Sequence, residues 1–158
     1  MKISIVTAAF NSAGTIADAM GSVLAQTYPD IEYVLVDGAS KDATMDVAKK
    51  LEPEFRGRMK WVSEPDKGIY DAMNKGIKMA SGDVVGTLNS DDMLASSDAV
   101  ENIAEALLSS GAECAYGRLN LVDWNDTAKI LRESNSGQYR AGAFRKGWHP
   151  AHPTFYAY

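Results

Sequence analysis

The sequence predicts a three-layer α/β/α fold with a mainly parallel central sheet. Three observations carry that expectation. Short apolar runs suited to buried strands alternate with amphipathic stretches at helical spacing. Each strand-like run closes on polar or turn-forming residues before the next helical stretch begins. The chain has 158 residues, 46% apolar and 23% charged; a domain of that size buries roughly 68–70% of its unfolded surface, enough for one core. Strand alternating with helix means βαβ units, hence parallel pairing with helices on both faces.

Each element has its own signal. Residues 2–7, Lys2-Ile3-Ser4-Ile5-Val6-Thr7, read as a buried strand bounded by Asn11 and Gly14. A helix follows over 15–26, with Ile16, Ala19, Met20 and Val23 on one face, and Tyr28-Pro29-Asp30 stops it. The second strand, 31–36, closes on Asp37-Gly38. Ser40 to Thr44 offers capping groups for a helix to about Leu51. Residues 59–62 form the third strand. Ile69, Met73 and Ile77 stand four apart and mark an amphipathic helix over 68–80. Residues 84–88 form the fourth strand, and Ser96 or Ser97 caps a helix to about Ser110. Beyond Gly111, residues 114–116, 119–122 and 129–131 read as strands of a mixed sheet. Cys114, Trp61 and Met73 are expected in the core. With no repeat, low-complexity tract or linker, residues 1–158 read as a single domain.

Composition narrows the function. Sixteen basic against twenty-one acidic residues give a net charge of −5, and no basic stripe offers a footprint for duplex nucleic acid. A single cysteine excludes a disulfide framework and a cysteine-based zinc site. The apolar start is short and broken by Asn11-Ser12, so it reads as neither a secretory leader nor a bilayer span. The expected setting is cytoplasmic, or peripheral at the inner face of a membrane.

In open α/β sheets, ligands sit beyond the carboxyl ends of the strands. The four parallel strands lead to Asn11, to Asp37, to Glu64-Pro65-Asp66-Lys67-Gly68 and to Asn89-Ser90-Asp91-Asp92, all expected at one edge. Asp91 and Asp92 repel each other unless a cation or hydrogen-bond donors compensate, and a hard divalent ion takes such carboxylates together with substrate phosphates. The competing reading is a pair of loop or capping acids, although Ser96, Ser97 and Asp98 are better placed to cap. Asp37 can accept hydrogen bonds from a base N–H or a ribose hydroxyl, or can serve as an Asp-Gly turn. Asp66-Lys67-Gly68 opens a helix where N–H groups and Lys67 attract anions; the plain alternative is an ordinary turn. His149 and His152 could serve a metal or an acceptor, but beside Pro150 and Pro153 they read first as surface loop. The first turn lacks G-x-G-x-x-G, and neither a phosphate-binding G-x-x-x-x-G-K-[ST] nor a G-x-S-x-G elbow occurs.

Taken together, residues 4–11, residues 36–44 (Val36-Asp37-Gly38-Ala39-Ser40-Lys41-Asp42-Ala43-Thr44), residues 66–76 (Asp66-Lys67-Gly68-Ile69-Tyr70-Asp71-Ala72-Met73-Asn74-Lys75-Gly76) and Asn89-Ser90-Asp91-Asp92 resemble the successive motifs of the family two glycosyltransferases. The resemblance implies an inverting enzyme of the Rossmann-like glycosyltransferase A fold that moves a sugar from a nucleotide-diphosphate donor, most often a UDP-sugar, to an acceptor hydroxyl on a glycan or lipid-linked acceptor in polysaccharide or glycoconjugate synthesis. It implies that Thr7, Ala8 and Ala9 line the base pocket, that Asp37 binds the base, and that Asp66 and Lys67 lie near base and diphosphate. Asp91 would face the ribose, and Asp92 a divalent Mn²⁺ or Mg²⁺. Many relatives carry a second Asp where this chain has Gly38. The family's catalytic base is expected beyond Tyr158, which makes this chain the donor-binding part of a longer enzyme, weakly active or inactive alone. The rivals are a non-catalytic nucleotide-binding module and a sugar-phosphate nucleotidyltransferase; the latter expects a basic, Gly-rich turn that residues 7–14 lack.

Overall fold

A computed structural model describes residues 1–158. Its elements run β1 (Ile3–Ala9), α1 (Ile16–Leu24), β2 (Ile31–Asp37), α2 (Thr44–Leu51), β3 (Met59–Ser63), α3 (Ile69–Met79), β4 (Val84–Thr87), α4 (Ala99–Ser110), β5 (Cys114–Tyr116), β6 (Leu119–Asp123), β7 (Asp126–Ser134) and β8 (Phe155–Ala157). Single 3₁₀ turns occupy Glu52–Phe55, Ala143–Lys146 and His152–Thr154.

The main sheet has the order β3-β2-β1-β4-β8-β5. β3, β2, β1 and β4 are mutually parallel, and β8 runs antiparallel to both its neighbours. The expected mainly parallel sheet is present. β1 and β2 are buried along their whole length, as strands covered on both faces must be. Their side chains alternate between two apolar layers. Ile3, Ile5, Tyr33 and Leu35 join α1 and α4 residues such as Ile16, Met20, Ala104 and Leu107 in the larger cluster. Ala8 and Val36 meet Ala72 and Met73 of α3 on the opposite face.

Several expectations need correction. Cys114 is exposed rather than buried, because β5 is the edge strand of the sheet. Trp61 lies on the other edge strand and is 37% exposed, with the Lys49 ammonium 5.1 Å from its ring centre; Met73 is buried as expected. Ile69 and Ile77 do not form the packed stripe of α3, since they are 47% and 46% exposed. That helix packs through Ala72, Met73 and Gly76, which let it lie close upon β1. Neither Ser96 nor Ser97 caps α4, whose N-cap position is Asp98. β6 and β7 pair with each other as a separate two-stranded sheet and do not join the main one. Finally, β8 inserts between β4 and β5, a strand with no signal in the sequence reading.

Candidate functional site

The chain runs from β1 outward through β2 to β3, then returns to β4 on the far side of β1. This reversal is the topological switch point where a crevice opens at the carboxyl edge. The four post-strand segments do converge there.

Thr7, Ala8 and Ala9 are strand residues, 0%, 7% and 4% exposed, so they form the floor of the edge rather than its surface. Phe10, 61% exposed, is the first side chain β1 presents to solvent. Asn11 takes a left-handed backbone (φ 50°), which Asn tolerates better than most residues. Its N–H donates to Ser40 Oγ at 2.8 Å, and its Oδ1 accepts the Lys41 N–H at 2.9 Å. The Ser12 N–H donates to Thr44 Oγ1 at 2.7 Å and the Ala13 N–H to Asp42 Oδ2 at 3.0 Å. Thr44 above all, with the Ala13 and Thr44 N–H groups, holds Asp42 below the usual carboxylate range. These bonds lock the first turn to the second.

Asp37 is fully buried. Its Oδ2 accepts the Ser40 N–H at 3.1 Å and the Ser63 hydroxyl at 2.6 Å, and its Oδ1 accepts the Ser40 hydroxyl. The Asp37 carbonyl accepts the Glu64 N–H at 3.0 Å, which starts the segment leading to Asp66. Lys75 fixes that segment from α3, reaching the Pro65 carbonyl and the Glu64 carboxylate, each at 2.9 Å. Asp66 is half-buried; its Oδ1 accepts the Gly68 N–H at 2.7 Å. Lys67 is exposed beside it at the start of α3. A methyl on Gly38 would stand 2.5 Å from Asp66 Oδ2 and 3.3 Å from Phe10 Cδ2, so those two side chains would have to shift to admit one.

At the end of β4, Asp91 is exposed and Asp92 half-buried. Asn89 Nδ2 donates to Asp92 Oδ2 at 2.8 Å, and His152 Nε2 lies 3.3 Å from Asn89 Oδ1. Burial pushes the Asp92 carboxyl up, and the Asp91 charge adds to the rise; the Asn89 bond and His152 oppose it without cancelling it. The Ser12 and Ser90 hydroxyls, 2.8 Å apart, tie the first turn to the fourth across the switch point. Beside Asp92 opens a cavity of about 550 Å³ lined by Tyr70, Asn89, Leu119, His149 and His152 among others. No three His, Cys, Asp or Glu side chains gather as a cage for an ion. The donor set fits a hard cation held by one protein carboxylate and completed by a ligand's oxygens, since Asp92 is a half-buried carboxylate short of positive charge.

The histidines, read first as surface loop, are brought to this cavity by the turn that leads into β8. Sequence reasoning also missed Asn89 as the link between Asp92 and His152. Its place in Asn-Ser-Asp-Asp was a usable signal, whereas nothing in the sequence distinguished Tyr70.

The family model described as Glycosyl transferase family 2 matches residues 4–157. An uncharacterised glycosyltransferase of a Nostoc species is 34% identical over 126 residues, covering 80% of this chain and 39% of the relative. An uncharacterised glycosyltransferase of Mycobacterium tuberculosis is 40% identical over 110 residues, covering 69% of this chain and 41% of the relative. Among solved structures, the mannosyltransferase PcManGT of Pyrobaculum calidifontis, in complex with GDP-Man and Mn²⁺, superposes with a TM-score of 0.68 at 21% identity, covering 80% of this chain and 37% of that one. S. aureus TarS in complex with UDP-GlcNAc superposes with a TM-score of 0.63 at 23% identity, covering 72% of this chain and 33% of that one. The chain thus spans about two fifths of the length of these curated relatives.

Proposed function

This chain belongs to glycosyltransferase family 2, and from that premise we propose that its carboxyl edge binds the nucleoside diphosphate of a nucleotide-sugar donor for inverting transfer to an acceptor hydroxyl. The observation that carries the reading is the meeting of four post-strand segments at the switch point, with a half-buried carboxylate, Asp92, short of compensating charge. That two fold neighbours were solved with GDP-Man and with UDP-GlcNAc supports it.

In this reading Asp92 would hold a divalent cation, Mn²⁺ or Mg²⁺, which when bound neutralises charge on the leaving diphosphate. Asp91, exposed beside it, accepts from a ribose hydroxyl. Lys67 and the first N–H groups of α3 attract the phosphates. The turn after β1 and the segment from Asp37 to Asp66 hold the base over Thr7, Ala8 and Ala9. Tyr70, His149 and His152 border the space left for the sugar. On this reading the general base would lie in the part of the relatives' length that this chain does not span and would take the acceptor proton as the hydroxyl attacks. The acceptor is a glycan or a lipid-linked acceptor, and the product a polysaccharide or glycoconjugate.

A thermal-shift titration tests the binding step. A ligand that binds only the folded state raises the melting temperature with concentration. A rise with UDP-GlcNAc or GDP-mannose in Mn²⁺, and none with free sugar, is the expected result. No rise with any nucleotide sugar would contradict the proposal.

A further inference from the structure

We infer that an aromatic and basic patch, built around residues 139–148, docks the chain on the surface of a bilayer that carries anionic lipid. The inference goes beyond the donor reading above and does not depend on it. From Ser134 to Tyr158 the chain has no Asp or Glu, although its net charge is −5. The cations of that stretch, Arg140, Arg145 and Lys146, sit close together in sequence, and all are exposed. None of them makes an ion pair, whereas Lys2, Lys60, Lys75 and Lys129 are each held by a carboxylate.

The same stretch builds a cluster of rings. Trp148 is its centre. Its ring lies 5.5 Å from that of Tyr116, 5.5 Å from that of Tyr139 and 5.4 Å from that of Phe144, and the rings of Tyr139 and Phe144 are 5.7 Å apart. Hydrogen bonds fasten the cluster. Trp148 Nε1 donates to the Ser136 carbonyl at 2.5 Å, and the Tyr116 hydroxyl donates to the Gly137 carbonyl at 3.0 Å and accepts the Tyr139 N–H at 2.7 Å. Trp148 is half-buried, yet Tyr139 stays 45% and Phe144 56% exposed. Phe144, Arg145 and Lys146 share one 3₁₀ turn, Ala143–Lys146, between Gly142 and Gly147, both left-handed (φ 81° and 82°). That turn offers apolar ring surface and unpaired cations to solvent together.

The combination fits an anionic bilayer surface. Tyrosine and tryptophan favour the membrane interface, where a ring can lie among headgroups with its polar atom wet. Arg and Lys reach lipid phosphates while their stems lie along apolar surface. Each cation near such a surface strengthens binding about fivefold, so three give about a hundredfold. At physiological salt, charges more than about 8 Å away are largely screened, so acids elsewhere on the chain do not cancel the patch. A polynucleotide also attracts cations and rings, but its strand would run on past the patch onto a surface with more acids than bases. Trp148 leads directly into His149, which lines the cavity beside Asp92, so docking here would hold that cavity close to the lipid.

The test is sedimentation of the chain with vesicles of phosphatidylcholine alone and of phosphatidylcholine mixed with phosphatidylglycerol. The expected result is binding to the anionic vesicles only, falling as salt is raised from about 0.1 M to 1 M. Arg145→Gln combined with Lys146→Gln should bind at least about tenfold more weakly. Phe144→Ser should also weaken binding while the melting temperature stays near that of the parent. Lys49→Gln combined with Lys50→Gln removes the same charge from exposed positions at the end of α2 and should bind as the parent does. No binding to anionic vesicles, parent-like binding by the Arg145 and Lys146 variant, or an equal loss in the α2 variant would overturn the assignment. So would tight binding of a single-stranded oligonucleotide by a chain that ignores the vesicles. Nucleotide-sugar binding is read separately, so failure here leaves the donor proposal standing.

Discussion

β2 carries a buried acid at each end, Glu32 near its start and Asp37 at its finish, and the two are compensated differently. Asp37 is surrounded by neutral donors. The Glu32 side chain, 3% exposed, takes Lys60 Nζ at 2.7 Å, Lys2 Nζ at 3.1 Å, the Ser4 hydroxyl at 2.6 Å and the Ser81 N–H and hydroxyl, each at 2.7 Å. Burial alone would raise its pKa; the bonds from Lys60, Ser4 and Ser81 together outweigh it and hold the group well below the usual range. A carboxyl depressed in the folded state contributes stability that is fully present above its unfolded pKa, about 4.3, and is lost as pH falls below that. Glu32→Gln should cost about 1–3 kcal/mol at pH 7, with the gap to the parent shrinking as pH drops from 4.5 toward 3. Urea denaturation at several pH values measures this; a constant gap across that window would show that ionisation plays no part. Asp37 was legible in the sequence because a charge at the end of an apolar strand stands out beside Gly38. Glu32 was not, because Lys2 and Lys60 become its neighbours only through the pairing of β1, β2 and β3, and Ser81 only through the turn between α3 and β4.

The parallel elements were readable because each combines an apolar run with a turn signal. Their registers, such as Ile3 opposite Ile31 and opposite Val84, keep the covered faces continuous. The later strands were harder because their apolar content does not report burial. Leu121, Ile130 and Leu131 are 59%, 48% and 54% exposed on the hairpin of β6 and β7. β8 is only three residues long, too short for periodicity to reveal. What seats it is space. A methyl on Gly86 would lie 2.1 Å from the ring of Tyr156, which is 1% exposed. Gly86→Ala should therefore overpack the contact between β4 and β8 and cost about 1–3 kcal/mol. Because β8 follows directly on the turn that carries His152, the same change should also disturb the bond between His152 and Asn89. Chemical denaturation measures the first effect and the imidazole NMR shifts of His152 the second. Parent-like stability would mean that β8 is not packed as tightly as described.

Across the whole molecule, the post-strand segments were expected at one edge and lie there, because motifs after strands must lie at the carboxyl side of a parallel sheet. The sequence did not show how the groups they carry divide their work. The burial of Asp37, the clearance over Gly38 and the approach of His152 to Asn89 all depend on contacts between segments far apart in the chain. No helix is long and apolar enough to cross a membrane. With a net charge of −5, the proposed anionic donor would have to be held by local groups, and on the proposed reading a cation at Asp92 is the chief of these. The most direct measurement is calorimetric titration of the chain with the nucleoside diphosphate it prefers, in Mn²⁺ and in chelator, for the parent and for Asp92→Ala. The parent should bind at least about tenfold more tightly in Mn²⁺ than in chelator, and Asp92→Ala should lose that difference while unfolding at a similar temperature. Equal affinity in Mn²⁺ and in chelator, or an Asp92→Ala chain that keeps the full metal dependence, would contradict the account.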